Sequence, residues 1–243
     1  MSQWVWAARP AERTTAMDII LIAGLWLKAS VWNRTANALR ELGHRPITVE
    51  LPGADDGDPE ARLDDQLAAV LQAVDASTSP AVVGHSAASS LAWMAADRRP
   101  ADISRVALIG GFPWADGQQF AALFPIVGGV MAFPGWEPFE GPDSADLDAE
   151  TRETIARDAV PVPEGVALAH VMYGDERRFT VPVTVICPEF GPEAAKAWIA
   201  SGDVPELASA AEVSFADIDS GHWPMLSRPT ELAALIADLV RGA

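Results

Sequence analysis

From residue 18 onward, short apolar runs of strand length alternate with amphipathic runs of helix length, and this alternation limits the fold more than any other feature of the chain. Residues 19–23 are apolar, 31–42 carry a helical period and 47–51 form the next run of strand length. A Gly/Asp/Pro-rich loop at 52–59 precedes a helical run over 61–76, a strand at 81–84, a helix, and a strand at 106–109. The pattern resumes with a strand at 181–187, a helix near 193–200, a strand at 213–218 and a last helix at 231–240. Strands separated by helices of ten or more residues pair through crossovers. They predict βαβ units in a mostly parallel sheet of about six strands, with helices on both faces. The 243 residues, 49% of them hydrophobic, suffice for one large core.

Residues 113–178 interrupt the alternation. They are rich in Pro, Gly and aromatic residues, then acidic and helix-compatible over 146–158. A connection of this size exceeds an ordinary loop. Its aromatic content predicts a lid packed over something apolar; a small helical subdomain resting on the core is the plainer alternative. Trp114, Phe120, Phe124, Trp136 and Phe139 are expected to wall a substrate pocket, joined by Trp26 and Trp223 from flanking loops. The expected organisation is an arm or upstream extension at 1–16, a core formed by 17–112 and 179–243, and the lid at 113–178.

The formal charge is −17, from 34 acidic and 17 basic residues, which argues against a nucleic-acid partner. No basic segment followed by an apolar run stands near the N-terminus, and no stretch approaches 18 uninterrupted apolar residues. The expectation is a cytoplasmic protein without a membrane partner. Cys187 is the single cysteine, which excludes an internal disulfide and offers no metal cluster. No metal and no cofactor are expected. The partner expected is a small-molecule substrate, and a homodimer is left open.

The chemistry is expected at the end of the third strand, where an apolar run meets Gly84-His85-Ser86-Ala87-Ala88 and an Ala-rich helical segment follows. A strand, a sharp turn and a helix are what a nucleophile elbow needs, because the strained turn lifts the serine hydroxyl clear of the sheet. A serine at a helix start is also an ordinary N-cap, so the reading depends on partners. Among the four histidines, His44 falls in an early turn, His85 adjoins the serine but is expected to point elsewhere, and His170 lies in the lid. His222 follows the last strand in Asp219-Ser220-Gly221-His222-Trp223-Pro224, at the sheet edge where open parallel sheets place ligands. It is the expected general base for Ser86. The orienting acid is expected to be Glu189, just past the strand ending at Cys187, with Asp116 as the alternative. Oxyanion donors are expected from the backbone N–H groups of Ala87 and Leu25, with Gly24 allowing close approach.

In this order, an oxyanion loop containing Gly24, the turn Leu51-Pro52-Gly53, the run Gly84-His85-Ser86, an insertion and the terminal Gly221-His222-Trp223-Pro224 together resemble the α/β-hydrolase superfamily. Two positions depart from its pattern: Ala23 stands where a histidine often precedes the oxyanion glycine, and Ala88 stands where the elbow has its second glycine. The run 20–26 followed by Val31-Trp32 is similar to the branch holding small carboxylesterases, plant methylesterases and hydroxynitrile lyases. Lyases of that branch carry a threonine in the oxyanion loop and a lysine after the histidine; Gly24 and Trp223 occupy those places here. The resemblance therefore implies a serine hydrolase acting on an ester of a small apolar acid, with amide and thioester as lesser options, through an acyl-enzyme. Carbon–carbon cleavage, lyase or cofactor-free oxygenase chemistry on the same residues, and a non-catalytic binding protein, are the alternatives.

Overall fold

The computed structural model describes residues 16–241. All but the last residue of the expected N-terminal arm lies outside the described residues. Six strands form one parallel sheet: β1 (Asp18–Ile22), β2 (Arg45–Thr48), β3 (Ala81–His85), β4 (Arg105–Ile109), β5 (Val183–Cys187) and β6 (Val213–Asp217), in the order β2-β1-β3-β4-β5-β6. The six-stranded parallel architecture expected from the alternation is present. Every pairing is parallel, with registers such as Ile20↔Val82, Val83↔Ala107 and Val185↔Phe215.

Strand periodicity sorts side chains between two cores. Ile20, Ile22 and Val82 face one layer, packed with Leu67 and Val70 of α2 (Leu63–Asp75) and Leu91 and Trp93 of α3 (Ala88–Arg98). Ile19, Leu21 and Val83 face the other, with Leu39 of α1 (Asn33–Glu41) and Leu232 and Ile236 of the C-terminal helix Pro229–Arg241. The central strands β3, β4 and β5 are buried along their whole length, which explains their largely apolar character, and Arg105 and Thr184 meet each other within it. Helix α3 is buried from Ala88 through Asp97, so its small residues Ala88, Ser89, Ala92, Ala95 and Ala96 let it pack closely on the sheet.

Between β4 and β5 the insertion holds a two-residue antiparallel ladder, Val130–Met131 with Val162–Pro163, and helix α4 (Ala149–Asp158). The expected helix over 146–158 starts three residues later, because the Asp148 side chain caps it by accepting from the Thr151 N–H at 2.8 Å. The insertion then returns to the core through a buried ionic cluster. Arg178 donates Nε to Glu206 at 2.9 Å and lies 3.4 Å from Asp97, while Asp97 also accepts from the Gly174 and Asp175 backbone. Trp93 Nε1 donates to the same Glu206 oxygen at 2.9 Å. Arg98 also pairs with Asp97, so removing Arg178 leaves Glu206 as the buried acid without a cation, and Arg178→Met should lower unfolding free energy by about 3–5 kcal/mol in urea titration. The corresponding loss for the exposed pair at Arg157 and Asp158 should stay below about 1 kcal/mol.

Candidate active site

Four loops converge at the C-terminal edge of the sheet. Ser86 follows β3, Leu25 follows β1, Glu189 lies two residues beyond β5 and His222 five beyond β6. Ser86 sits in the left-handed region at φ 55°, unusual for a residue with a side chain. The turn is held by Ser86 N–H donating to the Ile109 carbonyl at 2.8 Å and by Ser89 N–H donating to the Ser86 carbonyl at 3.0 Å. The backbone packs so tightly here that side chains are excluded. A Cβ at Gly84 would lie 2.4 Å from the Ala88 carbonyl oxygen, and one at Gly111 would lie 2.6 Å from that of Ser86. Ala88, where the pattern has a glycine, is accommodated as a buried residue.

The side chains form a continuous chain of hydrogen bonds. Ser86 Oγ lies 3.0 Å from His222 Nε2, and His222 Nδ1 lies 2.7 Å from Glu189 Oε1. A carboxylate can only accept, so Nδ1 carries the proton and Nε2 is free to accept from the serine hydroxyl. An array of this kind can move a proton off the hydroxyl as that oxygen attacks an electrophile. Glu189, rather than Asp116, is placed at the histidine; Asp116 is exposed in the insertion, where it accepts from the Tyr173 N–H at 2.9 Å. A second carboxyl stands near the chain without having been expected. Burial and the charge of Glu189 push Asp143 above the usual carboxylate range, against an opposing pull from His222. Its carbonyl accepts the His222 N–H at 2.7 Å.

Gly24 brings the β1 loop against the elbow: a Cβ there would lie 3.1 Å from Ser86 Cβ. Among the described residues, neither the Leu25 nor the Ala87 backbone N–H donates to another protein group. Trp26 follows at φ 63°, a strained conformation held from both ends by the insertion. Its indole N–H donates to the Met131 carbonyl at 3.2 Å, and its own carbonyl accepts from Val160 at 2.9 Å.

The expected aromatic residues fall in three places. A cleft of about 560 Å³ opens at Ser86 and Ala87, walled by Phe112, Pro113, Trp114, Leu123 and Val204. Trp114 is thus the aromatic of the insertion that lines it. Trp26, Phe124, Trp136, Phe139 and Trp223 instead pack on one another with Phe133, mostly edge to face or tilted and with Phe133 stacked on Phe139, at centroid separations of 5.3–6.2 Å. Phe120 is buried in the core beside Leu91 and Trp26. The rings were expected to wall the pocket together; most of them satisfy one another because edge-to-face packing buries them without leaving a void. Phe139 joins Trp26 of one loop to Trp223 of another.

Cys187 is buried, and burial together with the charges of Asp217 and Glu189 pushes its thiol up to about 12. It therefore stays a protonated, unreactive thiol at neutral pH. Native protein should resist iodoacetamide at pH 8 and be alkylated once unfolded, as mass spectrometry would show.

The sequence matches the alpha/beta hydrolase family over residues 19–235. Among curated protein sequences none matches significantly. Among solved structures, an extracellular alpha/beta-hydrolase from a Paenibacillus species, described as sharing structural and functional homology with tobacco salicylic acid binding protein 2, superposes with a TM-score of 0.76 at 18% identity, covering 91% of this chain and 98% of that one. A methylesterase protein, MES16, from Arabidopsis gives 0.72 at 15% identity, covering 94% and 100%. A variant of tomato methylketone synthase I complexed with beta-ketoheptanoate gives 0.68 at 15% identity, covering 94% and 98%. Among the described residues, no helix is long and apolar enough to cross a membrane.

Proposed function

The chain belongs to the alpha/beta hydrolase family, and from that premise we propose that it is a serine hydrolase cleaving a small, apolar carboxylic ester through an acyl-enzyme. The observation that carries this reading is the unbroken chain Ser86–His222–Glu189, with the serine presented on a strained elbow. His222 Nε2 takes the hydroxyl proton as Ser86 Oγ attacks the ester carbonyl. The charge developing on that carbonyl oxygen is accepted by the Leu25 and Ala87 N–H groups, which have no competing protein acceptor among the described residues. His222 then protonates the departing alcohol, and a water activated by the same nitrogen releases the acid and restores Ser86. Glu189 holds the Nδ1–H tautomer and stabilises the imidazolium.

The cleft supports the substrate class. Its walls are largely apolar, and its volume suits a small molecule. Trp114 and Leu123 belong to the insertion, which accordingly acts as a lid on one side of Ser86. The similar structures named as hydrolase and methylesterase agree with ester cleavage.

Purified protein assayed on p-nitrophenyl esters of graded acyl length tests the proposal. Ser86→Ala and His222→Ala should each remove nearly all turnover, with the double variant no worse than either, because the two act as a unit. Losses that add in the double variant, or an active Ser86→Ala protein, would contradict it. Glu189→Gln should fold normally yet lose kcat by roughly 10⁴-fold, as expected when the tautomer is wrong; near-full activity would leave only a Ser–His dyad. A fluorophosphonate probe should label Ser86 and nothing else, whereas an inert binding pocket would stay unlabelled.

A further inference from the structure

We propose that His85 is a positioning residue, whose Nε2–H, donated to the backbone carbonyl of His222, fixes the loop carrying the general base against the nucleophile. The inference rests on the reading of Ser86, His222 and Glu189 given above.

His85 ends β3 and immediately precedes Ser86, yet its ring serves the other loop. It is 1% exposed, and its Nε2 lies 2.8 Å from the His222 carbonyl oxygen. The two imidazoles sit with centroids 4.9 Å apart, and the far side of the His85 ring meets Trp32 edge to face. A carbonyl only accepts, so the proton must be on Nε2. Burial and the neighbouring His222 hold the His85 ring down to about 3, so it is neutral and Nδ1 is bare. That bare nitrogen is buried without a partner, facing Gly24, where a Cβ would lie only 2.7 Å away.

This arrangement is hard to account for as core filling. An apolar side chain of similar size would fill the same space without stranding a buried acceptor. The imidazole is explained by what its other nitrogen does. His222 is then held at both backbone groups, its N–H by the Asp143 carbonyl at 2.7 Å and its carbonyl by His85. Because His85 and Ser86 are consecutive, the base loop is tied directly to the elbow that presents the nucleophile.

Two substitutions test this with kcat and KM measured on the p-nitrophenyl ester panel. His85→Met removes the donor and keeps the bulk, whereas His85→Gln returns an N–H at the corresponding position. The expected result for His85→Met is a fall in kcat of about 10- to 100-fold with KM within about twofold, since misplacing the base harms the reacting geometry and not substrate binding. His85→Gln should recover most of that loss, and fluorophosphonate labelling of Ser86 should slow and recover in parallel. Wild-type kcat in His85→Met, or equal losses in both variants, would overturn the proposal. Long-range proton–nitrogen NMR of the unmodified protein gives an answer even if His85→Met fails to fold: one proton on Nε2 and none on Nδ1 across about pH 5 to 8 supports it, and a proton on Nδ1 overturns it. Ser86→Ala separates the two levels. If that variant turns over substrate, the nucleophile reading fails; if it is inactive while His85→Met is fully active, only the role of His85 fails.

Discussion

Backbone contact at the C-terminal edge of the sheet, closer than any side chain permits, sets the geometry around Ser86. Gly84 lies against the first turn of α3, Gly111 against the Ser86 carbonyl and Gly24 against His85 and the Ser86 side chain. These contacts place three successive loops within reach of one hydroxyl, and they hold Ser86 at a φ that would otherwise relax. Such strain, of order 1–3 kcal/mol, persists only where the surroundings over-determine the backbone. The buried strands β3 and β4 supply that rigidity, since the Ser86 N–H is tied to the Ile109 carbonyl at the end of β4.

The insertion is a structural partner of this edge as well as a wall of the cleft. Phe139 packs on both Trp26 and Trp223, so it spans the loop after β1 and the loop after β6. The Asp143 carbonyl accepts from His222, and an Asp146 oxygen accepts from Gly221 at 2.8 Å. On the other side of the cleft, the buried Asp97–Arg178–Glu206 cluster anchors the return of the insertion, and Tyr173 Oη donates to the Trp114 carbonyl at 3.0 Å. The wall that Trp114 provides is therefore braced by ionic and hydrogen-bonded contacts, and the histidine loop by aromatic packing together with hydrogen bonds to Asp143 and Asp146.

Much of this was legible in the sequence, for physical reasons. The alternation of strand and helix periods predicts the six parallel strands, and chain order puts Ser86, Glu189 and His222 after β3, β5 and β6, whose C-terminal ends lie along one edge of the sheet with β4 between the first two. Edge detail was less legible. Periodicity predicts the second strand over 47–51, but the strand is Arg45–Thr48, because pairing begins at Asp18↔Arg45 and Val49 and Leu51 turn inward after it. Trp26 at φ 63° could not be foreseen, since nothing in a tryptophan favours that conformation and only its two bonds to the insertion hold it there. The aromatic residues of the insertion are recognisable as a packed group, but composition carries no information on whether rings face a ligand or each other. His85 was read as pointing away from the elbow. It does leave the serine, toward the face its strand neighbour Val83 shares with α1 and the C-terminal helix, and that parity was the available signal.

The partition of the aromatic residues carries a consequence for how specificity is distributed on this fold. Rings that pack on Trp26 and Trp223 brace the two loops flanking Ser86, so enlarging or shrinking them is expected to shift the β1 loop and His222 together. Residues lining the cleft are instead drawn from Phe112, Pro113, Trp114, Leu123 and Val204, which approach Ser86 from the side of β4 and the segment after the helix Pro192–Ser201. On the proposed reading, changes there alter which acyl or alcohol group is accepted while leaving the hydrogen-bond chain intact. The same sheet edge can thus keep one arrangement of Ser86 and His222 while the side chains walling the cleft vary, because the rings that brace the β1 and histidine loops are not among those that line it.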